Sequence, residues 1–121
     1  MYAQLSLEDD ITFVETLFRI VHKYKEQQEY EKLVFNAFEI IQKLRLVLKE
    51  NMFERIVQKL LFFMRFYLNS SKIFTSVVQS LHVVCAYNSR AWYANAELKN
   101  KAIKLLHLAI DVGIKQGFWL T

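Results

Sequence analysis

The chain contains no proline, and its two glycines, Gly113 and Gly117, both fall within the last nine positions. Proline and glycine are the usual punctuation of turns and strand ends. Almost nothing in this sequence therefore compels the backbone to leave a helix before its end is near. What remains to shape the chain is the spacing of its apolar residues, and that spacing is helical throughout.

The first helix is expected to start at Ser6 as its cap, with Glu8 and Asp9 in a first turn where the helix dipole favours acids. Leu7, Ile11, Val14, Phe18 and Val21 form one apolar row, and Phe13, Leu17, Ile20 and Tyr24 a second beside it. Glu15, Thr16, Arg19, His22 and Lys23 fall on the wet side. Lys25–Glu29 reads as a polar hinge. A second helix is expected from about Tyr30 to Leu48, with Leu33, Val34, Ala37, Ile40, Ile41, Leu44, Val47 and Leu48 inward. A third, about Asn51 to Leu68, is apolar over most of its circumference, which places it centrally. Phe53, Ile56, Val57, Leu60, Leu61, Met64 and Tyr67 make its main face, and Phe62 and Phe66 widen it.

Asn69, Ser70 and Ser71 supply a stop and a fresh cap for a fourth helix, about Lys72 to Tyr87, with Phe74, Val77, Val78, Leu81, Val84 and Cys85 inward. Asn88 and Ser89 signal another break, and Arg90–Ala94 reads as a short helical turn. A fifth helix starts at Asn95 and carries Leu98, Ala102, Leu105, Leu106, Ala109 and Ile110 inward, until Gly113 or Gly117 ends it. The expected fold is all-α: one domain over residues 1–121, built of about five antiparallel helices.

The helices also echo one another. Phe53, Ile56, Val57, Gln58 and Leu60 match Phe74, Val77, Val78, Gln79 and Leu81 at an offset of 21 residues. Ala102–His107 follows Val77–His82 at an offset of 25. A helix pair thus spans about 44–48 residues, near the roughly 40–47 of armadillo and HEAT repeats. Over about Tyr30–Ile114 the chain resembles two to three units of such a solenoid, although their diagnostic motifs are missing. The resemblance implies a scaffold that binds other proteins along a helical face. A closed helical bundle is the alternative arrangement.

Reactive constellations are not visible. His22, His82 and His107 are far apart, and His82 with Cys85 supplies two of the four ligands a structural zinc needs. Cys85 sits mid-helix in an apolar pattern, where a thiolate is not stabilised, and no glycine-rich loop precedes position 113 to cradle phosphate. The expectation is a non-enzymatic chain with no cofactor and no metal. A lone cysteine and the lack of a basic then apolar leader point to an intracellular location, cytoplasmic or nuclear. The greasiest stretch, Leu60–Leu68, is nine residues broken by Arg65, too short for the roughly twenty residues of a membrane span.

Surface and charge carry the functional expectation. Apolar residues make up 54% of the chain, with ten phenylalanines, more than a small globule needs to bury. The charge is polarised. Residues 1–54 hold ten acids and seven bases, whereas residues 55–121 hold two acids and nine bases. Phe35, Leu46, Phe62, Phe66, Phe118 and Trp119 are left over once each helix has used its main stripe, and Arg45 and Arg65 lie near them. Aromatic anchors ringed by arginine mark protein interfaces. These residues are expected to hold a helical or acidic segment of a partner protein, in the manner of an adaptor or assembly subunit. A homodimer is a variant of the same idea. The alternative is nucleic-acid binding by a basic patch of Arg90, Lys99, Lys101, Lys104 and Lys115 beside Tyr87, Trp92 and Tyr93.

Overall fold

Among the described residues six helices form, one more than the five main helices expected, because the short turn before Asn95 closes into a helix of its own. In a computed structural model, which describes the backbone of residues 2–116 and the side chains of residues 11–113, they are α1 (Tyr2–Tyr24), α2 (Glu31–Lys43), α3 (Glu50–Phe66), α4 (Ser71–Ala86), α5 (Ser89–Ala94) and α6 (Ala96–Gln116). No strand occurs among the described residues. The fold is all-α. A short 3-10 turn, Gln28–Tyr30, occupies the polar hinge after α1.

Several helix ends differ from the sequence expectation. Helix α1 is already helical from Tyr2, which puts Ser6, Glu8 and Asp9 inside it rather than at its start. Residues 2–5 contain no breaker, so the helix simply continues back through them. Helix α2 stops at Lys43, not Leu48, because Arg45 adopts the left-handed region at φ 48°. This is the usual way for a helix to end, except that the residue filling the glycine position is an arginine. Gly113 does not terminate the last helix; it is buried inside α6, which runs on to Gln116. Gly117 lies outside the described residues. Asn95 does cap α6, its Oδ1 accepting the Leu98 N–H at 3.1 Å. This local bond meets one of the four orphan donors of the first turn.

Helix α1 packs on α2, and α3 packs on α4; α2 lies against α4, and α3 against α6. Phe18 of α1 stacks on Phe63 of α3 with ring centroids 5.9 Å apart, and Phe38 of α2 meets Phe63 edge-on at 5.7 Å. These three buried rings tie α1, α2 and α3 together at the centre of the core. Short α5 bridges α4 and α6. Most helices thus touch both their sequence neighbour and a helix further along.

The covered rows are not all those expected. In α2, Leu33 and Ile40 are substantially exposed while Phe38 is fully buried. The reason is direction: Phe35, Glu39 and Gln42 mark the side of α2 that faces α4, and Leu33 and Ile40 fall on the opposite flank. In α6, Leu98, Ala102 and Ala109 are buried, but Leu106 and Ile110 are exposed alongside Ile103. Only one side of α6 is covered, chiefly by α3. Ala102, Ala109 and Gly113 are small residues on the buried side.

The α2–α4 seam is polar and fully paired. Gln42 Nε2 donates to the Ser76 carbonyl at 3.1 Å and to Ser76 Oγ at 3.2 Å, and Ser80 Oγ donates to the Phe38 carbonyl at 3.1 Å. Buried serines need such partners, so these bonds set the register of α4 on α2. Every buried side-chain polar atom among the described residues has a partner.

Candidate partner-binding surface

The exposed side of α3 follows from helical spacing. Arg55, Lys59, Phe62 and Phe66 recur at four, three and four residues, which lines them up along one stripe. Arg65 lies beside them. Phe62 is 48% exposed and Phe66 37% exposed, large fractions for aromatic rings on a helix that buries Phe53, Leu60, Phe63 and Met64. The neighbouring stripe on α1 is Glu15, Arg19 and His22, spaced four and three. Glu15 forms an ion pair with Arg55 across the two helices, and the His22 ring lies 5.9 Å from that of Phe62.

Between these stripes lies a cleft of about 240 Å3. Phe18 and Phe63 form its floor, and Arg19, His22, Lys59 and Phe62 form its walls. Phe62 meets Phe63 edge-on at 5.3 Å, so its ring is held by the core on one side and open to water on the other. One turn further along, Lys25 Nζ sits 5.3 Å from the Phe66 ring centroid. Arg19 is steadied by donating from Nη2 to Thr16 Oγ1 at 3.2 Å. Of the nearby acids, Glu15 is engaged by Arg55, and Glu54 accepts a bond from Gln58 at 3.4 Å. The result is an apolar, aromatic slot with a cationic rim.

Of the residues expected at a partner surface, Phe62, Arg65 and Phe66 share this face. The others do not. Phe35 lies on α2 over a separate groove against α4, where Lys72 Nζ is 4.8 Å from its ring. Arg45 is exposed in the α2–α3 connection. Leu46 is corrected outright: it is buried at 2% exposure. The left-handed turn at Arg45 redirects the chain, and Leu46 folds back into the core. Phe118 and Trp119 lie outside the described residues. Arg19, His22 and Lys59 were missed because they sit on the wet faces of their helices. Their four-and-three spacing parallel to Phe62 was the signal available.

The basic patch is partly spoken for. Lys99 Nζ lies 5.4 Å from the Tyr93 ring centroid and donates to the Tyr93 carbonyl at 3.4 Å. Lys101 pairs with Glu97 at 3.3 Å. Lys104 and Arg90 are exposed, Trp92 packs against the core, and Tyr93 is 73% exposed. The side chain of Lys115 lies outside the described residues.

His82 is exposed and Cys85 is buried. Burial pushes the Cys85 thiol up to about 12. Burial, and then the charge of Glu31, push the Tyr67 phenol up to about 12 as well. No group of three or more metal-ligating side chains gathers among the described residues, and no helix among them is long and apolar enough to cross a membrane. Comparison with family models, with curated proteins and with solved structures finds no match to this chain.

Proposed function

We propose that this chain is a non-catalytic docking module, an adaptor or assembly subunit, that holds an acidic helical segment of a partner protein across the α1–α3 face. The observation that carries the reading is Phe62. It is half-exposed over a cleft with an aromatic floor, and Arg19, His22 and Lys59 surround it. A buried aromatic anchor within a charged rim is the common form of an interface hot spot, and an amphipathic helix offers one apolar side chain per turn with carboxylates beside it. The neighbour-and-next packing of the helices is in keeping with armadillo- or HEAT-like stacking, in which one layer of helices presents such a face.

Nucleic-acid binding has less support. Two of its five expected cations, Lys99 and Lys101, already have partners within the chain. Capture from native extract with the wild-type chain and with Phe62→Asp tests the reading. A partner retained by the wild type and lost by Phe62→Asp, with helical circular dichroism unchanged, is the expected result. Retention by both, or loss only when Lys101 and Lys104 are reversed in charge, overturns it.

A further inference from the structure

The charge around the α1–α3 cleft is one-sided. Its lining carries Arg19, His22 and Lys59 and no carboxylate. The charged groups that face His22 are Arg19 from its own helix, Lys59 from α3, and Lys25 from the turn that follows α1. Lys25 Nζ donates to the His22 carbonyl at 3.3 Å. Helix α2, the other element packed on α1, supplies no residue to the cleft. Glu15 is taken up by Arg55, and Glu26 lines a different cleft with Tyr24 and Tyr67.

Among the residue types of this rim, arginine and lysine ordinarily stay charged through neutrality, whereas histidine changes its charge between about pH 5 and 8. His22 is exposed, so protons reach it freely. Its ring lies 5.9 Å from that of Phe62, within the roughly 6 Å over which a cation is still attracted to an aromatic face. Protonation therefore changes the charge of this wall without driving His22 away from the anchor ring.

We propose that His22 makes docking at this face pH-dependent: its protonation adds a third positive charge beside Phe62 and tightens the hold on an acidic helix. This rests on the reading of the face as a docking site and adds what regulates it. The sign follows from the two titrations. As the pH falls, His22 gains charge, while glutamates of the partner, which ordinarily titrate near 4.3, stay ionised down to about pH 5.5. Attraction therefore grows on acidification through the histidine range and is lost again above it. Reciprocally, docking draws a proton onto His22.

The test is fluorescence anisotropy of a labelled helical peptide, leucines on one face and glutamates beside them, titrated with the full chain at constant ionic strength. Binding is expected to be about two- to fivefold tighter at about pH 5.5 than at about pH 8, the range set by one solvent-exposed charge pair. His22→Gln removes the titrating group and is expected to flatten this profile. His107→Gln, on α6, is expected to keep it. Calorimetry in two buffers of unlike ionisation enthalpy should show proton uptake on binding by the wild type and none by His22→Gln. Circular dichroism at each pH checks that the fold is kept. Saturable binding that is equal or weaker at the lower pH, or a profile that survives in His22→Gln, overturns the role of His22 and leaves the docking site standing. No binding at any pH overturns both.

Discussion

Replacing Asn88 with alanine should destabilise the chain by roughly 2–4 kcal/mol, a large effect for removing one polar side chain. Three hydrogen bonds disappear, to Leu48 N–H, Leu46 C=O and Val84 C=O, each worth about 1 kcal/mol net. The larger cost comes from the groups left behind. The backbone N–H of Asn88 bonds to Cys85 rather than to Val84, so the Val84 carbonyl is one of the orphan acceptors at the end of α4. The Leu46 carbonyl lies beside a side chain only 2% exposed. A buried polar group stranded in this way costs about 1–3 kcal/mol. Leu48 is only half-buried, so water regains part of its N–H and keeps the total near the middle of the range. Urea denaturation followed by circular dichroism measures the loss, with Ser89→Ala, at an exposed neighbour, as a control near zero. Hydrogen exchange should show the Leu48 amide losing its protection. A destabilisation below about 1 kcal/mol would refute the reasoning, because it would mean that the α2–α3 segment does not depend on this clamp.

Other perturbations follow from the same geometry. Arg45→Gly should stabilise the fold by about 0.5–1 kcal/mol in the same urea assay, since glycine removes the left-handed penalty and returns only part of it as unfolded-state entropy. Ala109→Leu should destabilise by about 1–3 kcal/mol, because Ala109 is buried in the core and the added methylenes overpack its site. Cys85, buried and with its thiol raised from 9.0 to about 12, should react with a disulfide reagent at pH 8 much more slowly than a free cysteine, until denaturant exposes it. Tyr67, raised from 10.0 to about 12, binds its proton more tightly when folded. Its contribution is therefore complete below pH 10 and is lost as the pH rises from 10 toward 12. Tyr67→Phe should flatten that alkaline decline in a series of urea titrations.

The helices were legible because periodicity was unopposed. With no proline and no early glycine, the apolar spacing and the polar break at Asn69–Ser71 placed α3 and α4 within two residues of their observed ends. The end of α2 was not legible. A left-handed arginine leaves no mark in a sequence, and Leu46, Val47 and Leu48 continue the apolar rhythm past the point where the helix stops. Which of two adjacent apolar rows a neighbour covers is likewise a tertiary matter. Leu33 and Ile40 keep the same spacing as Val34 and Ile41, yet α4 approaches from the other side and leaves the first pair in water. Of the candidate surface, Phe62, Arg65 and Phe66 were readable as residues left over from the main stripe of α3. Arg19 and His22 acquire meaning only when α1 is laid beside α3. Asn88 read as a break between helices, but its partners Leu46 and Leu48 lie some forty residues away, and nothing local announces them.

The most direct test of the central proposal is the fluorescence anisotropy of a labelled acidic amphipathic helix, with leucines on one face and glutamates beside them, titrated with the full chain. A saturable rise that weakens with added salt, and that falls about tenfold or more with Phe62→Asp and with Lys59→Glu, is the predicted result. Equal binding by either variant, or stronger binding of a lysine-faced helix, would contradict it.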